Sequence, residues 1–161
     1  MAATTRFVLT PYSAEFPSSN FPQLTLSNRR PVLGFDAATK ETAYWTVVAP
    51  QGLTGTLHAK IYYIMASATS GDVDVNVAVE AYAADEAVDI DAGTSFDTVN
   101  AVDNTSVPGT AGYMDMIDVT LTNADSVAAG EYMRISLDRD AADDTAAGDM
   151  QVLFVEITDG N

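Results

Sequence analysis

The stretch GDVDVNVAVEAYA, residues 71–83, alternates between apolar and polar side chains at nearly every position. One parity carries Val73, Val75, Val77 and Val79, and the other carries Asp72, Asp74, Asn76 and Glu80. A period of two is typical of a β-strand with one buried face. We therefore predict a strand over 72–82 whose valines face the core and whose acids face water. A slip of one residue would bury the acids, so we expect a fixed register.

The same period recurs from Lys40 to the C-terminus, with turn residues about every ten positions. The predicted strands are 42–48, 56–66, 72–82, 95–102, 113–121, 131–137 and 150–158. Phe96 is expected to anchor the fourth predicted strand, 95–102, in the core. The chain has 161 residues, an ordinary size for one domain. Seven such strands, or eight if the N-terminal stretch adds an edge strand, and no helical segment predict an all-β fold, an antiparallel β-sandwich of the jelly-roll type.

Four of the six prolines fall within the first 31 residues. Because proline fixes φ and lacks an N–H donor, this stretch favours an extended N-terminal arm, residues 1–40, ahead of a sandwich domain, residues 41–161. The apolar side chains of the arm must dock on their own domain or on a partner, and both alternatives stay open. Strand 150–158 is apolar on both parities, which indicates cover by the arm or by a subunit interface. The candidate partner-binding residues are Phe7, Val8, Tyr12, Phe16, Phe21, Arg29, Arg30, Val152 and Phe154.

The net charge is −16 and is unevenly distributed. Residues 1–60 hold five basic and three acidic side chains, whereas residues 61–161 hold two basic and 20 acidic ones. Such a surface repels phosphate backbones, which argues against nucleic-acid binding. No apolar run is long enough for a membrane helix, and no membrane association is expected. The absence of cysteine and the single histidine, His58, exclude thiolate and multi-histidine metal sites.

The densest polar stretch is DRDAADDTAAGD, residues 138–149. Clustered carboxylates in a loop suit Ca²⁺, which takes six to eight oxygen ligands with loose geometry. The candidate ligands are Asp138, Asp140, Asp143 and Asp144, and the alternative is a solvated acidic loop. We predict no other cofactor.

Two further patterns bear on activity. An aromatic platform for a sugar ring could combine Tyr44, Trp45, Tyr62 and Tyr63, although the parity of Trp45 favours the core. The sequence has no phosphate-binding glycine loop, nucleophile elbow or zinc spacing, and its many carboxylates single out no acid/base pair. We therefore predict that the protein is not an enzyme.

Three segments resemble a group of tailed-phage virion proteins. They are AYWTVVAPQGLTGTL at 43–57, YYIMASATSGDVDVNVAVEAYA at 62–83 and DSVAAGEYMRISLDRDAADDTAAGDMQVLFVEI at 125–157. The resemblance covers about three quarters of the chain and consists of turns and strand ends. It implies a homotrimeric β-sandwich on the virion surface, a capsid decoration protein that binds the major capsid protein or other virion proteins. A head or tail fibre domain is also implied, and the alternative function is a fibre-tip carbohydrate-binding module for host attachment.

Overall fold

The computed structural model describes residues 4–160, which form ten strands in two antiparallel sheets and one 3₁₀ turn at Pro11–Ser13. The strands are β1 (Thr4–Leu9), β2 (Gln23–Ser27), β3 (Arg30–Phe35), β4 (Glu41–Val48), β5 (Leu57–Met65), β6 (Asp72–Tyr82), β7 (Asn100–Ser106), β8 (Asp115–Leu121), β9 (Tyr132–Arg139) and β10 (Met150–Asp159). Sheet A has the order β2-β3-β10-β5-β8, with β1 also paired to β10, and sheet B has the order β4-β9-β6-β7. The predicted antiparallel β-sandwich is confirmed. Within the described residues, no helix is long and apolar enough to cross a membrane.

The core lies between the two sheets and is built from the inward parity of each strand. The four valines of β6 are at most 1% exposed, as the alternation predicts. Burial of each contributes about 1.5–3 kcal/mol. Trp45 is also buried, and its indole N–H donates to the carbonyl of Thr10 at 2.9 Å.

The predicted N-terminal arm is not present as a separate element in residues 4–40. Three strands of this stretch, β1, β2 and β3, belong to sheet A, and β3 lies between β2 and β10. The prolines permit this because Pro11, Pro17 and Pro22 fall outside the strands and Pro31 is the second residue of β3. Of the two open alternatives for this stretch, docking on its own domain is the one observed. Residues 1–3 and 161 of the predicted segments lie outside the described residues.

The polar face of β6 departs from the prediction. Asp74 and Glu80 are 4% and 3% exposed instead of facing water. The backbone N–H of Asn104 donates to Asp74 Oδ1 at 2.5 Å, and that of Ser95 donates to Glu80 Oε2 at 2.8 Å. Asp74 is thus covered by β7, whose register shifts beside it, and the segment 83–99 folds back against Glu80. For the same reason Phe96 does not anchor an inner strand, and β7 begins only at Asn100.

Candidate functional site

The outward side chains of sheet B form four rows across β4, β9 and β6, which the strand register fixes. The rows are Val48–Tyr132–Tyr82, Thr46–Arg134–Glu80, Tyr44–Ser136–Ala78 and Thr42–Asp138–Asn76. Side chains directly opposite each other on adjacent strands are close enough to interact. The rows therefore present aromatic, charged and polar groups side by side on one surface.

The first row provides an aromatic platform at one end of the sheet. The rings of Tyr82 and Tyr132 stack with centroids 5.8 Å apart and an interplanar angle of 23°. They line a pocket of about 260 Å³ together with Ala83, Ala84, Glu86, Val88 and Ile90, which we call the tyrosine pocket. Next to Tyr132, Val48 of β4 is 70% exposed and extends the apolar strip. The pocket thus combines aromatic rings with one carboxylate.

The second row holds the platform in place. Glu80 Oε2 accepts a hydrogen bond from the Tyr82 hydroxyl at 3.2 Å. Burial and the nearby Glu80 charge raise the pKa of Tyr82, so its phenol stays protonated. Arg134 lies between two carboxylates, 3.7 Å from Glu80 and 3.1 Å from Glu15, and its guanidinium carbon is 4.4 Å from the Tyr44 ring centroid. These contacts connect the Tyr82 hydroxyl to β4 through β9.

Phe96 covers the third row. Its ring stacks on Tyr44 with a centroid separation of 5.7 Å. Ala78 and Ser136 in this row are buried. The middle of the outward face is therefore closed, whereas the tyrosine pocket at its end is open.

The fourth row contains one of the predicted calcium ligands, Asp138, and a second, Asp140, follows the end of β9; both bind other groups. Lys40 Nζ lies 3.0 Å from Asp138 and 3.4 Å from Asp140, and the Asn76 amide donates to both carboxylates at 3.0 and 3.1 Å. Burial raises the pKa of Asp138, although Asn76 and Lys40 act in the opposite direction. Burial alone would lower the pKa of Lys40, but hydrogen bonds and charge from Asp138 and Asp140 raise it.

The other two predicted ligands do not complete a cation site. Asp144 pairs with the buried Arg139 at 2.5 Å, and Asp143 is exposed. Arg139 also donates to the carbonyls of Ala146 and Gly148, both at 2.7 Å. The guanidinium of Arg139 thus forms hydrogen bonds with the oxygens that converge inside this loop. Within residues 4–160, no group of three or more acidic or histidine side chains is arranged to hold a metal ion.

The aromatic platform predicted from sequence is not assembled. Trp45 and Tyr63 lie in the core, and burial raises the pKa of Tyr63 to about 12. Tyr44 and Tyr62 point outward, but from different sheets. The adjacent positions 44–45 and 62–63 alternate in direction, so one strand cannot present both members of a pair on one face.

The predicted partner-binding residues divide between core and surface. Val152 is 1% exposed and therefore cannot bind a partner, and Phe7 packs against the core. Phe154 faces outward on sheet A and stacks on Tyr62 at 4.5 Å. The remaining six are exposed: Val8, Tyr12, Phe16, Phe21, Arg29 and Arg30.

The outward face of sheet A carries a second apolar pocket. It has a volume of about 380 Å³ and is lined by Ile64, Met114 and Leu153 together with Arg30. Met114 is 62% exposed. A wider cleft of about 650 Å³ lies among the loops near Leu53, Leu57 and Leu121, and its lining residues include no aromatic ring.

Sequence reasoning did not identify Tyr82, Tyr132 or Glu86 as functional residues. One signal was available, since Tyr82 occupies the polar parity of β6, where an aromatic side chain breaks the alternation. Its pairing with Tyr132 depends on the contact between β6 and β9. The two tyrosines are about fifty residues apart in sequence, so no local pattern predicts that they meet.

Comparison with known proteins identifies the class of fold. Solved structures that share it are carbohydrate-binding modules, and the predicted jelly-roll sandwich is confirmed. One is a family 35 module from an environmental isolate, with 14% identity, a TM-score of 0.57, and coverage of 97% of this chain and 94% of that one. Another is the module CBM6cm-2 from Cellvibrio mixtus lichenase 5A, solved with cellotriose, with 11% identity, a TM-score of 0.50, and coverage of 98% and 100%. At these identities the likeness is one of fold. No protein-family model and no curated protein matches the chain.

Proposed function

We propose that this chain is a non-catalytic carbohydrate-binding module whose saccharide binds in the tyrosine pocket. The supporting observation is the stacked pair Tyr82 and Tyr132 beside the carboxylate of Glu86. A pyranose has one face of C–H groups and a rim of hydroxyls, so it needs an aromatic surface with a hydrogen-bond acceptor at its edge. A concave, mostly apolar site with few polar groups is the usual form of a small-ligand site.

The pocket is preorganised for such a ligand. The Tyr82 hydroxyl is bound by Glu80, which also accepts the backbone N–H of Ser95. Little side-chain freedom is then lost on binding, which favours affinity. Because Val48 continues the strip on β4, and strands are about 4.8 Å apart, a second sugar unit would extend across β9 toward that strand.

Several features support binding without turnover. Glycoside hydrolysis generally uses two carboxyl groups on either side of the scissile bond. The tyrosine pocket is lined by one, Glu86. Burial raises the pKa of two carboxyls, Glu41 and Asp138, and neither lines this pocket.

The biological setting proposed for this activity follows from the virion resemblance. A saccharide-binding sandwich at the tip of a viral fibre would attach the particle to glycans on the host surface. The excess of acidic side chains in residues 61–161 would keep such a repeated surface hydrated.

A glycan array followed by calorimetry with the best-bound oligosaccharide tests the proposal. Tyr132→Ala should weaken binding about tenfold or more, because buried aromatic contacts dominate small interfaces. Tyr113→Ala is the matched control, since Tyr113 is 65% exposed and lies outside the pocket. If both variants bind like the unmodified protein, the tyrosine pocket is not the site. If no glycan binds, the carbohydrate-binding function is wrong.

The outward face of sheet A favours a second candidate, a capsid decoration protein. Its apolar pocket around Met114, Ile64 and Leu153 is suited to protein contact, because exposed apolar patches commonly mark interaction sites. On this proposal the face binds the major capsid protein or another virion protein. Met114→Lys should then abolish binding to purified capsids of the encoding virus, whereas Tyr132→Ala should not. Equal capsid binding by both variants would count against this second candidate.

A further inference from the structure

Strand β2 lies at the edge of sheet A, and among residues 4–160 it pairs only with β3. Its sequence, QLTLS, contains no charge and no proline. The other strands at sheet edges in the described part of the chain all carry a charged residue: Arg6 in β1, Glu41 in β4, Asp103 in β7, and Asp115 and Asp118 in β8. An uncharged open edge is a template for pairing with another strand, and proteins usually protect against this.

The register of the hairpin identifies which backbone groups are open. β2 and β3 are joined by the two-residue turn Asn28–Arg29, with φ of 45° and 68°, which makes Ser27 and Arg30 the closing bonded pair. Bonded and non-bonded pairs alternate in an antiparallel ladder. The N–H and C=O groups of Leu24 and Leu26 therefore point away from β3, toward the open edge.

We propose that two copies of this chain associate by pairing their β2 strands antiparallel about a two-fold axis at Thr25. This register places Leu24 opposite Leu26 of the second copy, so that all four open groups of each strand are hydrogen-bonded. The side chains of Leu24 and Leu26 are 46% and 61% exposed, and in the pair they pack against each other. The strand is thus complementary to itself, as an isologous contact requires.

Net charge sets the conditions for association. Each copy carries −16, and two such bodies repel at low ionic strength. Salt at about 0.15 M screens charges beyond roughly 8 Å. Salt weakens the repulsion between the copies but has little effect on the uncharged contact between the β2 strands. The dissociation constant of the dimer should therefore fall as salt is added.

Sedimentation equilibrium of the full chain over a range of protein and salt concentrations tests the proposal. We expect a reversible monomer–dimer equilibrium that shifts toward dimer with salt. Leu26→Lys should shift the protein to monomer. Met116→Lys, an equivalent change on the opposite edge strand β8, should leave the dimer intact.

A second variant separates the interface from folding. Leu24→Pro removes an N–H that points away from β3 and would bond only to the second copy, so it should raise the dissociation constant about tenfold while the thermal midpoint of the monomer changes little. A monomer under all conditions would overturn the proposal, as would a trimer. A dimer that persists in both Leu26→Lys and Leu24→Pro would also overturn it.

Discussion

Arg6 and Asp159 join the first described strand to the last. The guanidinium donates from Nε to Oδ1 at 2.7 Å and from Nη2 to Oδ2 at 2.6 Å. Asp159 Oδ2 also accepts the backbone N–H of Thr54 at 2.7 Å, and Arg6 reaches the carbonyl of Gly52 at 3.0 Å. One carboxylate thus fixes β1, β10 and the loop before β5 at the same end of sheet A.

This pair predicts an acid-dependent loss of stability. Arg6 and the Thr54 N–H lower the pKa of Asp159 to about 2 from its ordinary 3.8. A carboxyl whose pKa is lowered by folding stabilises the fold above 3.8, and this contribution is lost as the pH falls through about 2. The urea midpoint of the unmodified protein should therefore fall more steeply over this interval than that of Asp159→Asn. Asp89→Asn, at an exposed loop position, should show the same dependence of the urea midpoint on pH as the unmodified protein. Parallel curves for Asp159→Asn and the unmodified protein would contradict this account.

The buried pair Arg139 and Asp144 predicts a large effect of one substitution. Asp144→Ala leaves the guanidinium of Arg139 buried without its carboxylate, and removal of one partner of such a pair costs about 3–5 kcal/mol. Asp143→Ala, one residue away and exposed, should change the free energy of unfolding by less than about 0.5 kcal/mol. Chemical denaturation of both variants measures the difference. Equal values would mean that Asp144 does not support the loop.

The turn before β6 requires glycine. Gly71 has a φ of +92°, and a Cβ at this position would lie 2.7 Å from the carbonyl oxygen of Thr145. Both the conformation and the backbone contact oppose a side chain, so Gly71→Ala should destabilise the protein by about 3 kcal/mol. Gly109→Ala is the control, since nothing lies within 4 Å of its Cβ. A thermal midpoint that is unchanged in Gly71→Ala would refute the steric argument.

Chelation should have no effect on saccharide binding. Three of the four carboxylates proposed as calcium ligands bind Lys40, Asn76 or Arg139, the fourth, Asp143, is exposed, and none lines the tyrosine pocket. Calorimetry with the bound oligosaccharide before and after EDTA should give the same dissociation constant. A loss of binding that added Ca²⁺ restores would show that a cation takes part.

The alternation of apolar and polar residues determined most of the strands and the side of each that faces the core. In β6, β8 and β9 the predicted inward side chains are all buried, and in β8 they alone are. The pattern is a local consequence of the pleat, which points successive side chains to opposite faces. This is why the all-β sandwich could be predicted from the sequence.

The tertiary structure decided what lies against the outward faces. Glu80 is buried because residues 83–99 fold over it, Asp74 is buried against Asn104 of β7, and β3 is an inner strand because β10 lies beside it. The tyrosine pocket likewise exists only because β6 and β9 bring Tyr82 beside Tyr132. Periodicity reports that one face of a strand is buried, but the cover of its other face depends on contacts between segments far apart in sequence, which only the folded chain brings together.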